Sequence, residues 1–469
     1  MDGRCEVSTE QEIITANGAE SAGQTRIAQS FAKFHEGRFL YVHGFDQWHV
    51  WNGTHWAADE TGDVRRALVK HLETLWKVIN PSDKDRVREL QSAFSAGTQN
   101  GILQIASILP QFATAASAMD ADPFLLNVAN GTLNLHTFDL QPHNPADNIT
   151  KVARAAYDPQ ADTTEWEKFL QRVLPDEDVR SYLQRFTGLA LLGIVREHIL
   201  GIATGTGANG KGTYYTAVHY ALGDYSHTAE SDLFMTIKSN ANSASPAVLG
   251  LRGTRYVVTS ETEEGMTLAA ALMKNLTGGD PITARPLYGR PITFDPSHTA
   301  LMVTNHLPKV KGDDAALWRR IRVIPFDVVI PEQERDAELP ERLRLSADAV
   351  LAWALAGLQD YQKNGMQTPA AVERRTAAYR NESDDPGRFM DSEIVPDASS
   401  FTPRSKVWES WERFAREEGA SAISKPDLFG RIEAAYEVKT RKGTRGFLGM
   451  KLRDELDAET AVIETLEEN

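Results

Sequence analysis

Residues 205 to 213 read Gly205, Thr206, Gly207, Ala208, Asn209, Gly210, Lys211, Gly212 and Thr213. In the spacing G-x-x-x-x-G-K, glycines let backbone N–H groups curl around a triphosphate and the lysine reaches its β- and γ-phosphates. A helix beginning at the lysine turns its positive end to the same anion. The next residue ordinarily supplies a hydroxyl to Mg²⁺; here it is Gly212, and the hydroxyl comes one step later, at Thr213. A glycine-rich turn with an incidental lysine is the plainer alternative, and the strand, loop and helix order weighs against it.

Three further groups suit the same chemistry. The run Arg255-Tyr-Val-Val-Thr-Ser-Glu261-Thr-Glu263-Glu264 delivers carboxylates at the end of an apolar strand. There one acid can hold a metal shell and another activate water. Asn305 closes the next strand, where an amide can position an attacking water against a γ-phosphate. Arg319 and Arg320 precede the last strand, and an arginine there can stabilise a transferring phosphoryl group, even from a neighbouring subunit. Taken alone, a capping asparagine and salt-bridged surface arginines are the simpler readings of the last two groups.

These residues need an open sheet to hold them, because ligands of such sheets bind at the carboxyl ends of the strands. The predicted strands are His198–Ala203, Arg255–Thr259, Thr299–Thr304 and Ile321–Phe326, separated by helical segments, which gives an α/β core with both sheet faces covered. Upstream, the alternation in 38–60 and in 125–141, with Asn52-Gly53 and Asn130-Gly131 inside, predicts two hairpins. Residues 62–117, 163–195 and 339–382 read as helical. Further on, a helix over Ser405–Glu418, a second over Lys425–Ala435 and a basic hairpin are predicted, followed by sixteen residues, Asp454–Asn469, with seven acids and no base.

The composition sets the outer bounds. At roughly 150 residues per domain, 469 residues predict about three domains. Hydrophobic residues make up 41% and charged residues 25%, which excludes collagenous and wholly disordered chains, and no apolar run is long enough to span a bilayer. The polar, acidic start is not that of a signal peptide. A single cysteine, Cys5, excludes a disulfide framework and a cysteine-based zinc site, and predicts a cytoplasmic protein. Net charge is −15, yet 252–322 carries +3 and 401–453 carries +5. Basic charge is thus concentrated in two places suited to phosphate backbones. Trp48, Trp51 and Trp56 could stack on bases, but their hairpin spacing favours core packing. His43, His49 and His55 make no convincing metal site.

Together these motifs resemble the superfamily 3 helicases, and more closely the helicase part of the phage, plasmid and poxvirus-type primase-helicases. The most specific stretch is Leu272-Met-Lys274-Asn-Leu-Thr-Gly278-Gly279-Asp280-Pro-Ile-Thr-Ala-Arg285-Pro-Leu-Tyr288-Gly289-Arg290. Leu126–Leu133, Tyr182–Gly188 and Leu351–Leu358 look like other segments of the family. The resemblance covers about 40–385 well and the remainder more weakly. It implies an AAA+-like P-loop ATPase core, a mixed α+β amino-terminal domain and a small carboxyl-terminal winged-helix-like domain. The expected division is a flexible tail over 1–30, the amino-terminal domain over 31–160, a helical collar over 161–195 and the ATPase domain over 196–385. A linker over 386–400, the winged-helix-like domain over 401–453 and an acidic tail over 454–469 complete it.

The resemblance implies a ring, usually a hexamer of identical subunits, that hydrolyses ATP with Mg²⁺ and moves 3′ to 5′ on single-stranded or forked DNA during replication of a phage or mobile element. Residues 205–213 would hold the nucleotide, Lys211 its phosphates, and Glu261 the metal, with Thr213 as the stand-in hydroxyl. The division of roles between Glu261 and Glu263 stays open, as does the choice of Arg319 or Arg320 as the finger. Asn305 would sense the γ-phosphate. Lys274, Arg285, Tyr288 and Arg290 would face the DNA. Only some 30–40 residues precede the recognisable region, and a primase fold needs on the order of 150–200, so no primer synthesis is expected and a separate primase is a plausible partner. The carboxyl-terminal piece would bind DNA or dock protein. Two other readings remain: an ATP-binding origin-binding or loading scaffold with little unwinding and, more weakly, a DNA-packaging or segregation ATPase.

Overall fold

The computed structural model describes residues 22–236, 246–260, 265–285, 291–310, 314–420 and 423–454. It begins with helix α1 (Gly23–Phe34), so the expected tail over 1–30 runs into ordered structure. Ile27, Ala28, Phe31 and Ala32 fall on one helical face and are buried. They pack on α2 (Asp63–Val78), α3 (Lys84–Ala93) and α4 (Ala96–Ala106), beside a small sheet. That sheet joins β1 (Phe39–Val42), β2 (Gln47–Trp51), β3 (Trp56–Ala58) and β4 (Ala113–Thr114) in the order β3-β2-β1-β4. Trp51 faces Trp56 across the β2–β3 hairpin, and Trp56 is buried with its indole N–H donated to the Pro145 carbonyl. The loop between them has four residues, because Asn52 Oδ1 accepts from the N–H groups of Thr54 and His55. A meander follows: β5 (Leu125–Val128), β6 (Gly131–Asn134) and β7 (Leu140–Gln141). Val128 pairs with Gly131, so Ala129 and Asn130 form the turn, one residue earlier than an Asn-Gly turn would be centred.

Helices α5 (Thr164–Val173) and α6 (Glu177–Leu189) lead to the central sheet. Its strands, β8 (Leu200–Thr204), β9 (Ser226–Ala229), β10 (Tyr256–Ser260), β13 (Thr299–Thr304) and β14 (Ile321–Pro325), lie in the order β14-β8-β13-β10-β9, all parallel. Alternate residues feed two cores. Leu200, Ile202, Val257, Met302 and Val323 enter one, and Ala203, Val258, Leu301, Val303 and Ile324 the other. The strands therefore read as continuous apolar runs, as those of a sheet covered on both faces must. Strand β9 is the exception: Ser226-His-Thr-Ala at the sheet edge carries no such run, and its pairing partner β10 makes it a strand.

Helix α7 (Lys211–Leu222) follows β8, and the one-turn α8 (Pro246–Leu249) precedes β10. Between β10 and β13 lie α9 (Ala270–Leu276) and the ribbon β11 (Ile282–Ala284) and β12 (Ile292–Phe294). The short α10 (Ala315–Trp318) precedes β14, after which come α11 (Leu339–Leu345), α12 (Ala347–Asn364) and α13 (Ala370–Ser383). Helix α12 crosses α6 at close range. A Cβ on Gly188 would lie 2.2 Å from the Leu358 nitrogen, and one on Gly357 2.1 Å from the Gln184 carbonyl oxygen. Arg255, at the foot of β10, is buried and donates to the Leu191 and Leu125 carbonyls at 2.5 and 2.6 Å, with its guanidinium 4.6 Å from the Tyr225 ring centre.

The stretch 386–400, expected as a linker, is instead helix α14 (Asp385–Glu393) followed by strand β15 (Ile394–Pro403). Asp384-Asp-Pro-Gly looks like a chain break, but Asp384 caps the helix by accepting from the Gly387 N–H and Pro386 sits in its first turn. Pro396 and Phe401 flank an irregularity in the pairing, which lets a strand holding proline and serines stay in a sheet. Helices α15 (Arg404–Glu418) and α16 (Lys425–Glu433) and strands β16 (Glu437–Arg441) and β17 (Thr444–Leu452) complete a three-stranded antiparallel sheet, β15-β17-β16, over its own core. Among the described residues no helix is long and apolar enough to cross a membrane.

Candidate functional site

The parallel order puts the carboxyl ends of β8, β13 and β10 on one edge: Thr204 is level with Thr304, and Ser260 with Val303. The Gly205–Gly210 loop leaves β8 at that edge. Gly205 is required by contact, since a Cβ there would lie 2.2 Å from both Asn209 Nδ2 and the Phe326 carbonyl oxygen. Asn209 is buried and donates to that same carbonyl at 3.0 Å, and the Ile330 N–H donates to Ala208 at 2.8 Å, so the loop is pinned to the chain leaving β14. Gly207, Ala208 and Gly210 have φ of 102°, 48° and 80°, which bends the backbone into a concave turn. Helix α7 then begins at Lys211, and its first-turn N–H groups open toward the loop.

Lys211 is 5% exposed. Its Nζ donates to the Gly205 carbonyl at 2.8 Å and to Asn305 Oδ1 at 3.0 Å. Burial lowers its pKa to about 8. The structure thus joins the phosphate-loop lysine and the strand-end asparagine, which are 94 residues apart. The concave turn, the amino end of α7 and a buried ammonium form a donor set that fits a nucleotide's phosphates.

Thr213 lies beside the same loop. It lines a groove of about 500 Å³ together with Phe169, Ala208, Gly210, Ile330 and Leu339. Charged residues close the rim: Arg342 pairs with Glu165 and Asp336, each at 2.7 Å, and Arg172 pairs with Glu334 at 2.5 Å. Sequence reasoning missed this groove, and no local signal marks it, since its walls join residues some 160 positions apart. Gly212 is exposed, and a Cβ there would meet nothing within 4 Å. Glu261 and Glu263 follow Ser260 in the chain but lie outside the described residues. Among the described residues no cluster of three His, Cys, Asp or Glu could hold a metal, so the donors present there do not by themselves make a Mg²⁺ site.

The two arginines before β14 differ. Arg320 is buried and donates to the Ala316 carbonyl at 3.0 Å; Arg319 is exposed. Lys274 is bound to Asp314 at 2.7 Å, and Asp314 also caps α10. The hydrogen bond from Lys274 holds the Asp314 carboxyl below its ordinary range. Lys274 is therefore tied within the fold rather than presented as a loose cation. Arg285 follows β11, while Tyr288 and Arg290 lie outside the described residues. The segment after Asn305 is held on two sides. The Lys309 N–H donates to Met266 at 2.7 Å and its Nζ to Gly419 at 3.2 Å, and the Tyr379 hydroxyl donates to the Pro308 carbonyl.

Residues 28–175 match the family described as D5 N terminal like, and 203–320 match a family of unknown function. A protein of Acanthamoeba polyphaga mimivirus, provisionally named a helicase, is 28% identical over 307 residues, covering 61% of this chain and 32% of the relative. Another with that provisional name, from Invertebrate iridescent virus 3, is 23% identical over 415 residues, covering 80% and 44%. A provisionally named primase of African swine fever virus is 24% identical over 340 residues, covering 67% and 35%. The chain thus spans less than half the length of these relatives. Among solved structures, the apo C-terminal region of NrS-1 matches with a TM-score of 0.53 and 11% identity, covering 92% of this chain and all of that one. At that identity the likeness concerns the fold alone. The sequence likenesses support a relation to the primase-helicases of large DNA viruses.

Proposed function

We propose that this chain is the ATP-driven motor of a DNA helicase, of the superfamily 3 kind, acting in replication of a virus or mobile element. The observation that carries the reading is the buried Lys211 held between Gly205 and Asn305 at the carboxyl edge of a parallel sheet. The helicase and primase names of the relatives point the same way. In this reading Lys211 exchanges its two protein acceptors for β- and γ-phosphate oxygens, and the N–H groups of the loop and of α7 hold the rest of the anion. Phe169, Ile330 and Leu339 offer apolar walls for the nucleoside. Asn305, released from Lys211, orients water toward the γ-phosphate. Arg319, exposed beside β14, is the arginine that reaches the nucleotide of the next protomer in a ring, while Arg320 keeps α10 in place. Glu261 is the acid assigned to Mg²⁺, with Glu263 as the second carboxylate. ATP supplies the phosphoanhydride whose cleavage drives the cycle.

The test is strand displacement on forks with a 3′ or a 5′ single-stranded tail, with ATP and Mg²⁺, beside the Lys211→Ala variant. Displacement from the 3′-tailed fork that disappears in the variant supports the motor and its polarity. ATP hydrolysis that survives in the variant would falsify the role of the loop.

A second reading, an ATP-bound loading scaffold that turns over slowly, is favoured by one observation. The hydroxyl ordinarily beside the lysine is absent at Gly212. Stable ATP-dependent assembly on DNA, with single-turnover hydrolysis and no displacement, would select it.

A further inference from the structure

The carboxyl-terminal unit holds its charge unevenly. Strands β16 and β17 meet at a tight turn, Lys442-Gly443, with φ of 49° and 79°, the left-handed pair that suits a two-residue hairpin. Lys439, Arg441, Lys442 and Arg445 are all exposed. The register sets Arg441 opposite Thr444 and Arg445 opposite Thr440. Arg441 and Lys439 therefore lie on one face of the ribbon and Arg445 on the other, with Lys442 at the tip. Among the described residues, Lys439 pairs with Glu437 at 3.4 Å, while no carboxylate pairs with Arg441, Lys442 or Arg445. The Arg441 guanidinium sits 5.4 Å from the Phe401 ring centre, which stiffens it without neutralising it.

The neighbouring helix α16 is the opposite case. Lys425 lies 5.0 Å from the Trp408 ring centre, Asp427 is bound by Ser424, Arg431 pairs with Asp384 at 2.7 Å, and Glu433 is taken by Arg404. Apart from Lys425, which is stacked on a ring and keeps its charge, its charged groups are partnered within the unit. Arg404 lies over Phe429 and Phe447, and its pKa is lowered first by burial and then by the charge of Arg445. Two cations are thus held within each other's field. On a chain of net charge −15, these exposed cations make a local basic patch that attracts polyanions.

We propose that the β16–β17 hairpin clamps the phosphate backbone of a nucleic acid, independently of sequence, and that helix α16 reads no bases. The charges surround the end of a two-stranded ribbon, a shape narrow enough for a duplex groove with phosphates on either side. This deepens the helicase reading by adding a grip on DNA outside the ATP edge, but its physical basis is separate from that edge.

The experiment uses the full chain. Fluorescence anisotropy would follow mixed-sequence 30-mer duplex and single-stranded DNA across a series of salt concentrations. A combined Lys439→Ala, Arg441→Ala, Lys442→Ala and Arg445→Ala variant should bind about 10- to 100-fold more weakly at moderate salt, and its log–log salt slope should be shallower by about 3 to 4 on duplex. ATP turnover without DNA should be unchanged, which also reports an intact fold. Should the combined variant misfold, single Lys442→Glu at the exposed tip should weaken binding more than Lys442→Ala. An unchanged affinity and slope would overturn the proposal, as would the absence of DNA binding by the unaltered chain. A loss confined to one duplex sequence would replace the clamp with a base reader. Tighter binding of a poly-glutamate peptide than of DNA would transfer the surface to an acidic protein. Failure of the Lys211→Ala test would remove the motor reading and leave this result standing.

Discussion

Lys211 and the cations of the β16–β17 hairpin carry the same charge in opposite surroundings. Lys211 is buried, bonded to two named acceptors and held at a pKa of about 8. The hairpin cations stand in water on a mobile-length side chain each, at the end of a ribbon. A buried ammonium acts by position: its energy depends on a few ångströms and on what it is bonded to, and salt screens it little. An exposed cluster acts as a field: it attracts any polyanion, weakens with salt, and loses strength in proportion to the charges removed. In the proposed reading one region serves a chemical step and the other holds on.

The largest expected effect tests the first half of that contrast. Lys211→Ala should bring ATP hydrolysis to background, a loss of more than about 10³-fold, with the thermal midpoint little changed or raised, because a buried charge is removed along with its bonds. Steady-state turnover beside a melting curve checks both. Next, Arg319→Ala should lower turnover by about 10³-fold if it acts across a subunit boundary. Arg320→Ala, which unbinds a buried arginine from Ala316, should show chiefly as lost stability. Doping either variant with Lys211→Ala subunits, and measuring recovered activity, identifies which arginine acts in trans.

The pH dependence sharpens the comparison. Burial keeps Lys211 at about 8, below its ordinary 10.5, so the free protein loses that proton as pH rises through 8. A phosphate beside it favours the charged form, so ATP binding should take up a proton in that range. Affinity should then fall up to about tenfold per pH unit above 8. Calorimetric titration in two buffers of different ionisation enthalpy measures the uptake directly; equal heats above pH 8 would remove the buried lysine from the binding step. DNA binding through the hairpin does not use that lysine and should not follow the same profile.

The smallest effect concerns Gly212. Gly212→Ser meets open space in a helix and should stabilise by about 0.5 kcal/mol, while restoring a hydroxyl next to the lysine. Gly210→Ala, by contrast, sets a Cβ 2.5 Å from Val173 Cγ1 at a φ of 80° and should destabilise by about 1–3 kcal/mol. Turnover of Gly212→Ser that rises with Mg²⁺ more steeply than that of the native chain would favour the motor over the scaffold.

The sheet was legible wherever burial on both faces produced continuous apolar runs, as in Thr299–Thr304 and Ile321–Pro325. Edge strand β9 was not, because Ser226–Ala229 is made a strand by its neighbour rather than by its own residues. The glycine loop and Asn305 were readable as separate motifs, whereas the bond between Lys211 and Asn305 depends on β8 and β13 being adjacent in the sheet. Chain breakers misled at 384–400, where Asp384 and Pro386 open a helix instead of ending one. The groove beside Thr213 left no trace in sequence, since Glu165 and Arg342 meet only after folding. Lys274 was read as a cation facing DNA and not as a partner of Asp314, because side-chain pairing over 40 residues follows from how α9 and α10 pack.

Arg255 has a mechanical consequence. Its guanidinium is sealed in the interior and satisfied by the carbonyls of Leu125 and Leu191, both on the chain that precedes the sheet. Sliding either segment past β10 would take one of its two acceptors from a buried charge, at a cost of about 1–3 kcal/mol. That penalty makes the preceding segment and the central sheet a single stiff lever. In the proposed motor, a displacement at the Asn305 edge would be carried by this unit as a whole, and the compliance would fall to the contacts around it, among them the Lys309 and Tyr379 ties to the loop that follows Asn305.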